Sequence, residues 1–240
     1  METTPLASLS LTHVHYNPAD PLSYLCAWLA LVPQALCVIY VTLIWSTREI
    51  EILLMFTGQL GCEALNFLLK RLIKEERPKQ MYGKGYGMPS SHAQFLAYFA
   101  TSLSLFLLLL HHPPAQHYRS ERPYSHKPLN LPQKISLSLL TFFLAAAVAA
   151  SRVYLNYHTP TQVLVGCIAG GVSGLSWFVF TECLRRMGWL EWGLETWLGR
   201  MGRWRDLVVE EDLAEAGWRV WEERRDKRRR VDGVGGKKRR

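Results

Sequence analysis

LCAWLALVPQALCVIYVTLIW, residues 25–45, contains no charged side chain. A helix rising 1.5 Å per residue needs a run of this length to cross the ~30 Å hydrocarbon core of a bilayer. Working outward, Ile52 to Leu69 carries a single carboxylate, Glu63. Ala93 to Leu110 and Ile135 to Ala150 are uncharged and apolar, and Val163 to Thr181 is apolar and rich in glycine. Five such blocks separated by charge predict an all-α, polytopic membrane helix bundle of about five transmembrane helices. The competing reading is a buried helical core in a soluble protein, where apolar runs of this length are unusual. The blocks divide the chain into an N-terminal segment, 1–24, a transmembrane domain, 25–181, and a C-terminal region, 182–240.

The first block lacks a preceding basic segment and a small-residue cleavage site, so it is expected to stay as an anchor instead of leaving as a signal peptide. Cys26, Cys37, Cys62, Cys167 and Cys183 lie within or beside the blocks with no C-x-x-C pairing, which reads as packing thiols and as neither a zinc site nor a disulfide frame. The lipid bilayer is the expected partner of this chain, and nucleic acid is not. Lys and Arg in short loops favour the cytosol. The segment before the first span has neither, whereas 111–134 holds Arg119, Arg122, Lys127 and Lys134, and the tail is crowded with both up to residues 237–240. A non-cytosolic N-terminus and a cytosolic C-terminus follow.

Lys70, Arg71, Lys74, Arg77, Lys79 and Lys84 then fall on the non-cytosolic side, against the charge rule, and misplaced cations beside a membrane point to function. The loop holding Arg152 and His158 lies on that same side. Three clusters thereby converge. Lys70 and Arg77, seven residues apart, share one face if the helix continues to Pro78; taken alone they also read as a solvated basic cap. Pro89-Ser90-Ser91-His92 precedes the third span, where a serine N-cap and free backbone N–H groups make a helix end suited to an anion, with His92 as a candidate proton donor. An ordinary capped helix with a chance histidine is the alternative. Ser151-Arg152 closes the fourth span. His158 stands just before Thr159-Pro160-Thr161-Gln162, an N-cap, a proline at N1 and a glutamine at N3, and so sits on a short, pinned loop. A fixed imidazole beside a guanidinium is a candidate nucleophile for phosphorus, although a loop histidine also serves merely to bond backbone.

Together the clusters offer a nucleophile, an acid, three anchoring cations and a helix-end anion site. No H-E-x-x-H, carboxylate cluster or Cys/His spacing offers a metal site, so the expectation is phosphoryl transfer without metal or other cofactor, its charge neutralised by Lys70, Arg77 and Arg152.

From Lys70 to Gln162 these residues resemble the type-2 phosphatidic acid phosphatase superfamily, with motifs K-x6-R-P, P-S-G-H and S-R-x5-H-x3-D. The resemblance implies that His158 forms a phosphohistidine and that His92 protonates the leaving oxygen and then activates water. It also implies that Lys70, Arg77, Ser90, Ser91 and Arg152 bind phosphate. Ser91 replaces the motif's glycine and Gln162 its aspartate. Gln162 either supports His158 from behind or only completes a capping box with Thr159. The wording SRVYLNYHTPTQV, 151–163, resembles the dolichyl diphosphatase family, where glutamine is usual. That resemblance implies hydrolysis of dolichyl diphosphate at the lumenal face of the endoplasmic reticulum, recycling the lipid carrier of N-glycosylation. Other lipid phosphates, or a catalytically silent membrane scaffold, are the alternatives. Lys237 and Lys238 resemble a dilysine retrieval signal read by coat proteins, or else a generic basic tail held by anionic lipid. Trp189 to Val208, apolar at steps of three and four, predicts one amphipathic helix on the membrane surface or a calmodulin-type target helix.

Overall fold

A computed structural model describes residues 7–9, 14–78, 85–112, 129–211, 217–218 and 220–229. Lys79, Lys84, Arg119, Arg122, Lys127, Lys237 and Lys238 lie outside them, and with them the extra-cation and dilysine readings. An antiparallel ribbon, β1 (Ala7–Leu9) and β2 (Val14–Tyr16), leads into α1 (Pro21–Leu29) and α2 (Val32–Thr47). Then follow α3 (Ile50–Ile73), α4 (Ser91–Leu105) with a π-turn at Phe106–Leu110, α5 (Leu131–Tyr154), α6 (Pro160–Arg186), α7 (Trp189–Glu195) and α8 (Trp197–Gly202). Among the described residues five helical segments are long and apolar enough to span a membrane: 21–47, 50–73, 91–110, 131–154 and 160–186. The protein is a multi-pass membrane helix bundle.

The first span is longer than the uncharged run and is broken. Pro33 has no N–H to give the Leu29 carbonyl, and Leu31 N bonds Trp28 O instead of continuing the ladder. The surface helix expected over Trp189 to Val208 is two short helices. Thr196 splits them, capping Gly199 N at 3.2 Å, and Arg203 ends the second in a left-handed conformation (φ 53°). Trp189, Trp192 and Trp197 are exposed.

At the centre, α4 packs between α3, α5 and α6. Gly166, Gly170 and Gly174 form one stripe of α6, where any Cβ would run into the α4 backbone or its side chains: at Gly166 it would stand 2.7 Å from Ser90 O. Small residues allow such close approach where apolar lipid gives helices no hydrophobic drive to associate. Buried amides join α3 to α4: Asn66 Nδ2 donates to Gln94 Oε1 at 2.7 Å, Gln94 Nε2 to Cys62 O at 2.9 Å, and Gln59 Nε2 to Phe95 O at 3.3 Å.

One end of the bundle is laced shut by the segment after α8. Glu49, fully buried, accepts from Leu207 N and Val208 N at 2.8 and 3.0 Å and pairs with Arg205 at 2.6 Å. Arg185 joins Glu51 at 2.7 Å and also pairs with Asp206. Lys134 Nζ donates to His111 O. The three clusters read from the sequence lie at the other end, where α3 and α5 finish and α4 and α6 begin.

Candidate active site

Lys70 lies in the last turn of α3. The helix does not continue to Arg77, as the seven-residue spacing assumed. It stops at Ile73, with Lys74 in a left-handed conformation (φ 52°). Tertiary partners take the backbone beyond it: Glu75 O accepts Gly87 N at 2.7 Å, and Glu76 O accepts Gln162 Nε2 at 2.9 Å. Arg77 therefore reaches the site from a returning loop and not from two turns along a helix.

Ser90 is the N-cap residue of α4, yet its side chain makes no cap bond. Its own N–H bonds Gln162 O at 3.0 Å, which fixes the start of α4 against the start of α6. Ser91 is the first residue of the helix and His92 the second. His92 Nε2 lies 3.1 Å from Ala30 O. A carbonyl only accepts, so that nitrogen carries the proton. The break between α1 and α2 frees this carbonyl.

At the end of α5 the chain turns on Asn156 (φ 56°), a residue type that tolerates the left-handed region. Arg152 O then accepts the N–H groups of Tyr157 and His158, at 2.9 and 3.2 Å. The α6 capping box pins the other side of the loop, with Gln162 N bonded to Thr159 Oγ1 at 3.2 Å and Thr159 N to Gln162 Oε1 at 3.3 Å. His158, between the two anchors, is 3 % exposed.

His158 Nδ1 lies 3.2 Å from Gln162 Oε1. Burial first, then the charges of Arg77, Arg152 and Lys70, lower its pKa to about 4, against the opposing pull of the Gln162 bond. The structure thus brings Lys70, Arg77, Arg152 and Gln162 around one neutral imidazole. Arg152, also 3 % exposed, lays its guanidinium over the Tyr157 ring at 4.3 Å. Burial lowers Arg77 from its usual range, against the pull of Tyr157. Ser90 Oγ, Arg77 Nε, and Arg152 Nε and Nη1 are buried with no hydrogen-bond partner in the protein. Buried polar groups are almost always paired, so this donor set matches the equatorial oxygens of a phosphoryl group. Among the described residues no group of three or more His, Cys, Asp or Glu side chains is placed to hold a metal ion.

Sequence reasoning missed three contributors. Tyr157, buried beneath Arg152, accepts His15 N at 2.8 Å through its hydroxyl, tying β2 to the site. Ala30 orients His92. Glu75 accepts Gln162 Nε2 at 2.9 Å. The first two rest on a helix break and on a contact 142 positions apart in the chain, neither of which has a local signature.

The sequence pattern of the PAP2 superfamily matches residues 51–186, a range that contains all three clusters. The chain belongs to the PAP2 superfamily. A provisionally named dolichyldiphosphatase of Neurospora crassa is 52 % identical over 95 % of this chain and 96 % of its own length. Dolichyldiphosphatase 1 of Dictyostelium discoideum is 38 % identical over 76 % of this chain and 75 % of its own. Dolichyldiphosphatase 1 of Homo sapiens is 39 % identical over 72 % and 71 %. No solved structure matches significantly. As a PAP2 superfamily member the chain departs from the motif pattern at Ser91 and Gln162. Gln162, fully buried, completes the capping box with Thr159 and also lies against His158 Nδ1.

A cavity of about 290 Å³ opens beside the site, between Pro33, Gln34 and Cys37 on one side and Glu63 and Phe95 on the other, with His92 on its wall. Its lining comes from α2, α3 and the first turns of α4.

Proposed function

We propose that this chain hydrolyses dolichyl diphosphate to dolichyl phosphate and inorganic phosphate through a phosphohistidine at His158. The observation that carries the reading is the set of buried, partnerless donors on Ser90, Arg77 and Arg152 beside a buried imidazole. The relatives' names supply the substrate, and the cavity beside His92 suits an apolar chain that stays in the bilayer while its head group enters the site.

With Nδ1 protonated and bonded to Gln162, the lone pair of His158 is on Nε2. Nε2 attacks the terminal phosphorus, the bond to the bridging oxygen breaks, and its electron pair leaves with dolichyl phosphate. His92, protonated on both ring nitrogens, keeps Nε2–H on Ala30 O, gives the leaving oxygen its Nδ1 proton, and with Nδ1 now free becomes the base for the water that next attacks the phosphohistidine. Inorganic phosphate then departs and His158 returns to its starting form. Lys70, Arg77 and Arg152 compensate the charge, Ser90 and Ser91 donate hydroxyls, and the first turn of α4 offers backbone N–H groups. The reaction is read as metal-independent. The site is assigned to the lumenal face of the endoplasmic reticulum, the C-terminus to the cytosol, and the product to reuse in N-glycosylation.

The test is phosphate release from dolichyl diphosphate by detergent-purified protein with a chelator present, comparing wild type with His158→Ala. Full wild-type activity and loss by at least about a thousandfold in the variant are expected, since the nucleophile has no substitute. Activity surviving in His158→Ala would refute the nucleophile. Loss on chelation reversed by added metal would refute the metal-free route, and a preference for phosphatidate or another polyprenyl diphosphate would reassign the substrate.

A further inference from the structure

The Gln162 amide is held at both ends. Its NH2 group donates to Glu75 Oε1 and to Glu76 O, each at 2.9 Å, so its oxygen points the other way, toward Thr159 N at 3.3 Å and His158 Nδ1 at 3.2 Å. Rotating the amide by 180° would set its NH2 against the Thr159 N–H and its oxygen against two oxygens. Such a network fixes which atom is where, even though hydrogens themselves are assigned from their partners. With oxygen facing it, Nδ1 must be the protonated nitrogen. Glu75 therefore stands one amide behind His158. The superfamily pattern places a carboxylate directly at position 162, and here it has moved outward by one side chain.

We propose that Glu75 is a positioning residue of the hydrolytic site, acting through Gln162. Its carboxylate locks the amide so that His158 presents Nε2, and its negative charge, transmitted along the polarised Glu75–Gln162–His158 chain, stabilises the positive charge His158 acquires on phosphorylation. No proton passes along the chain, because an amide between carboxylate and imidazole does not relay one. The other charged or titratable groups acting on His158 are Arg77, Arg152 and Lys70, with His92 also in electrostatic reach. Apart from His92 these are cations, so Glu75 supplies the negative charge on the imidazole's far side. Glu75 is half-buried, which leaves its charge partly screened and predicts a moderate effect.

This proposal rests on His158 being the nucleophile, and the experiment separates the two. Glu75→Gln keeps an acceptor for the Gln162 amide but removes the charge; Glu75→Ala removes both. With dolichyl diphosphate, Glu75→Gln is expected to lower kcat about tenfold, the low end of the range seen for outer partners of metal-bound histidines, while KM stays within about twofold. Its acidic limb moves to lower pH, because a lost negative neighbour makes the imidazolium less stable. Glu75→Ala should lose more. A thermal midpoint near the wild-type value for the near-isosteric Glu75→Gln excludes misfolding as the cause. Wild-type kcat and an unmoved acidic limb in Glu75→Gln would overturn the proposal. Failure of the nucleophile reading shows instead as persistent activity and no trapped phosphohistidine in the His158 comparison, whatever Glu75 does.

Discussion

His158 is the residue at which local chemistry and surroundings differ most. A free imidazole titrates near pH 6.5, but burial and three nearby cations hold this one down to about 4. The sign suits a nucleophile, since a lowered pKa leaves the lone pair available throughout the neutral range and withdraws it only as pH falls through the folded value. Histidine-selective NMR in detergent, with His158→Gln to assign the signal, should show a midpoint near 4. A midpoint near 6.5 would mean that the site is open to water. Arg152 and Ser90 follow the same logic. Each is buried without a protein partner for the atoms named above, an arrangement that costs stability unless a ligand supplies the missing acceptors.

Among the elements, α4 and α6 set the geometry. Ser90 N bonded to Gln162 O ties their N-terminal ends together, and the Gly166, Gly170 and Gly174 stripe lets the backbones meet. Adjacent Gly171 supplies the control, because a Cβ there would have Thr101 Oγ1 at 3.9 Å as its nearest neighbour. Gly170→Ala is expected to destabilise the protein by roughly 1–3 kcal/mol, the usual penalty for overpacking. Gly171→Ala should leave stability unchanged or slightly higher, by relief of glycine's helix penalty. Thermal unfolding in detergent distinguishes them, and equal midpoints would show that the helices part easily at this seam. Activity should fall with Gly170→Ala in the same measurement series, since separation of α4 from α6 moves Ser90 away from His158.

The whole molecule has two unlike ends. One carries the cations, histidines and partnerless donors, and the other is closed by Glu49, Glu51, Arg185 and the 203–211 segment. In the proposed topology the ends of the chain face opposite compartments and the site faces the non-cytosolic one. A glycosylation acceptor inserted between Pro78 and Gly85, on a spacer long enough to clear the bilayer, should be modified in microsomes. The same insertion between residues 113 and 128 should not. The reverse pattern would put the site in the cytosol and exclude the lumenal reading.

The apolar blocks determined the bundle by themselves, because bilayer thickness and the need to satisfy backbone polar groups leave a chain of this composition few alternatives. Cation, serine and histidine spacing at the helix mouths singled out Lys70, Arg77, Ser90, Ser91, His92, Arg152 and His158 as candidates, since helix ends are readable from caps and prolines. The amphipathic period at 189–208 misled, because a single threonine cap and a left-handed arginine outweigh a hydrophobic repeat. Tertiary structure decided what no local pattern records: that α3 stops at Ile73 and returns Arg77 by a loop, that a broken first span offers Ala30 to His92, and that Glu75 stands behind Gln162. The last two are hydrogen bonds between residues 62 and 87 positions apart. Local sequence sets what a segment prefers, and only packing sets which distant acceptor it meets.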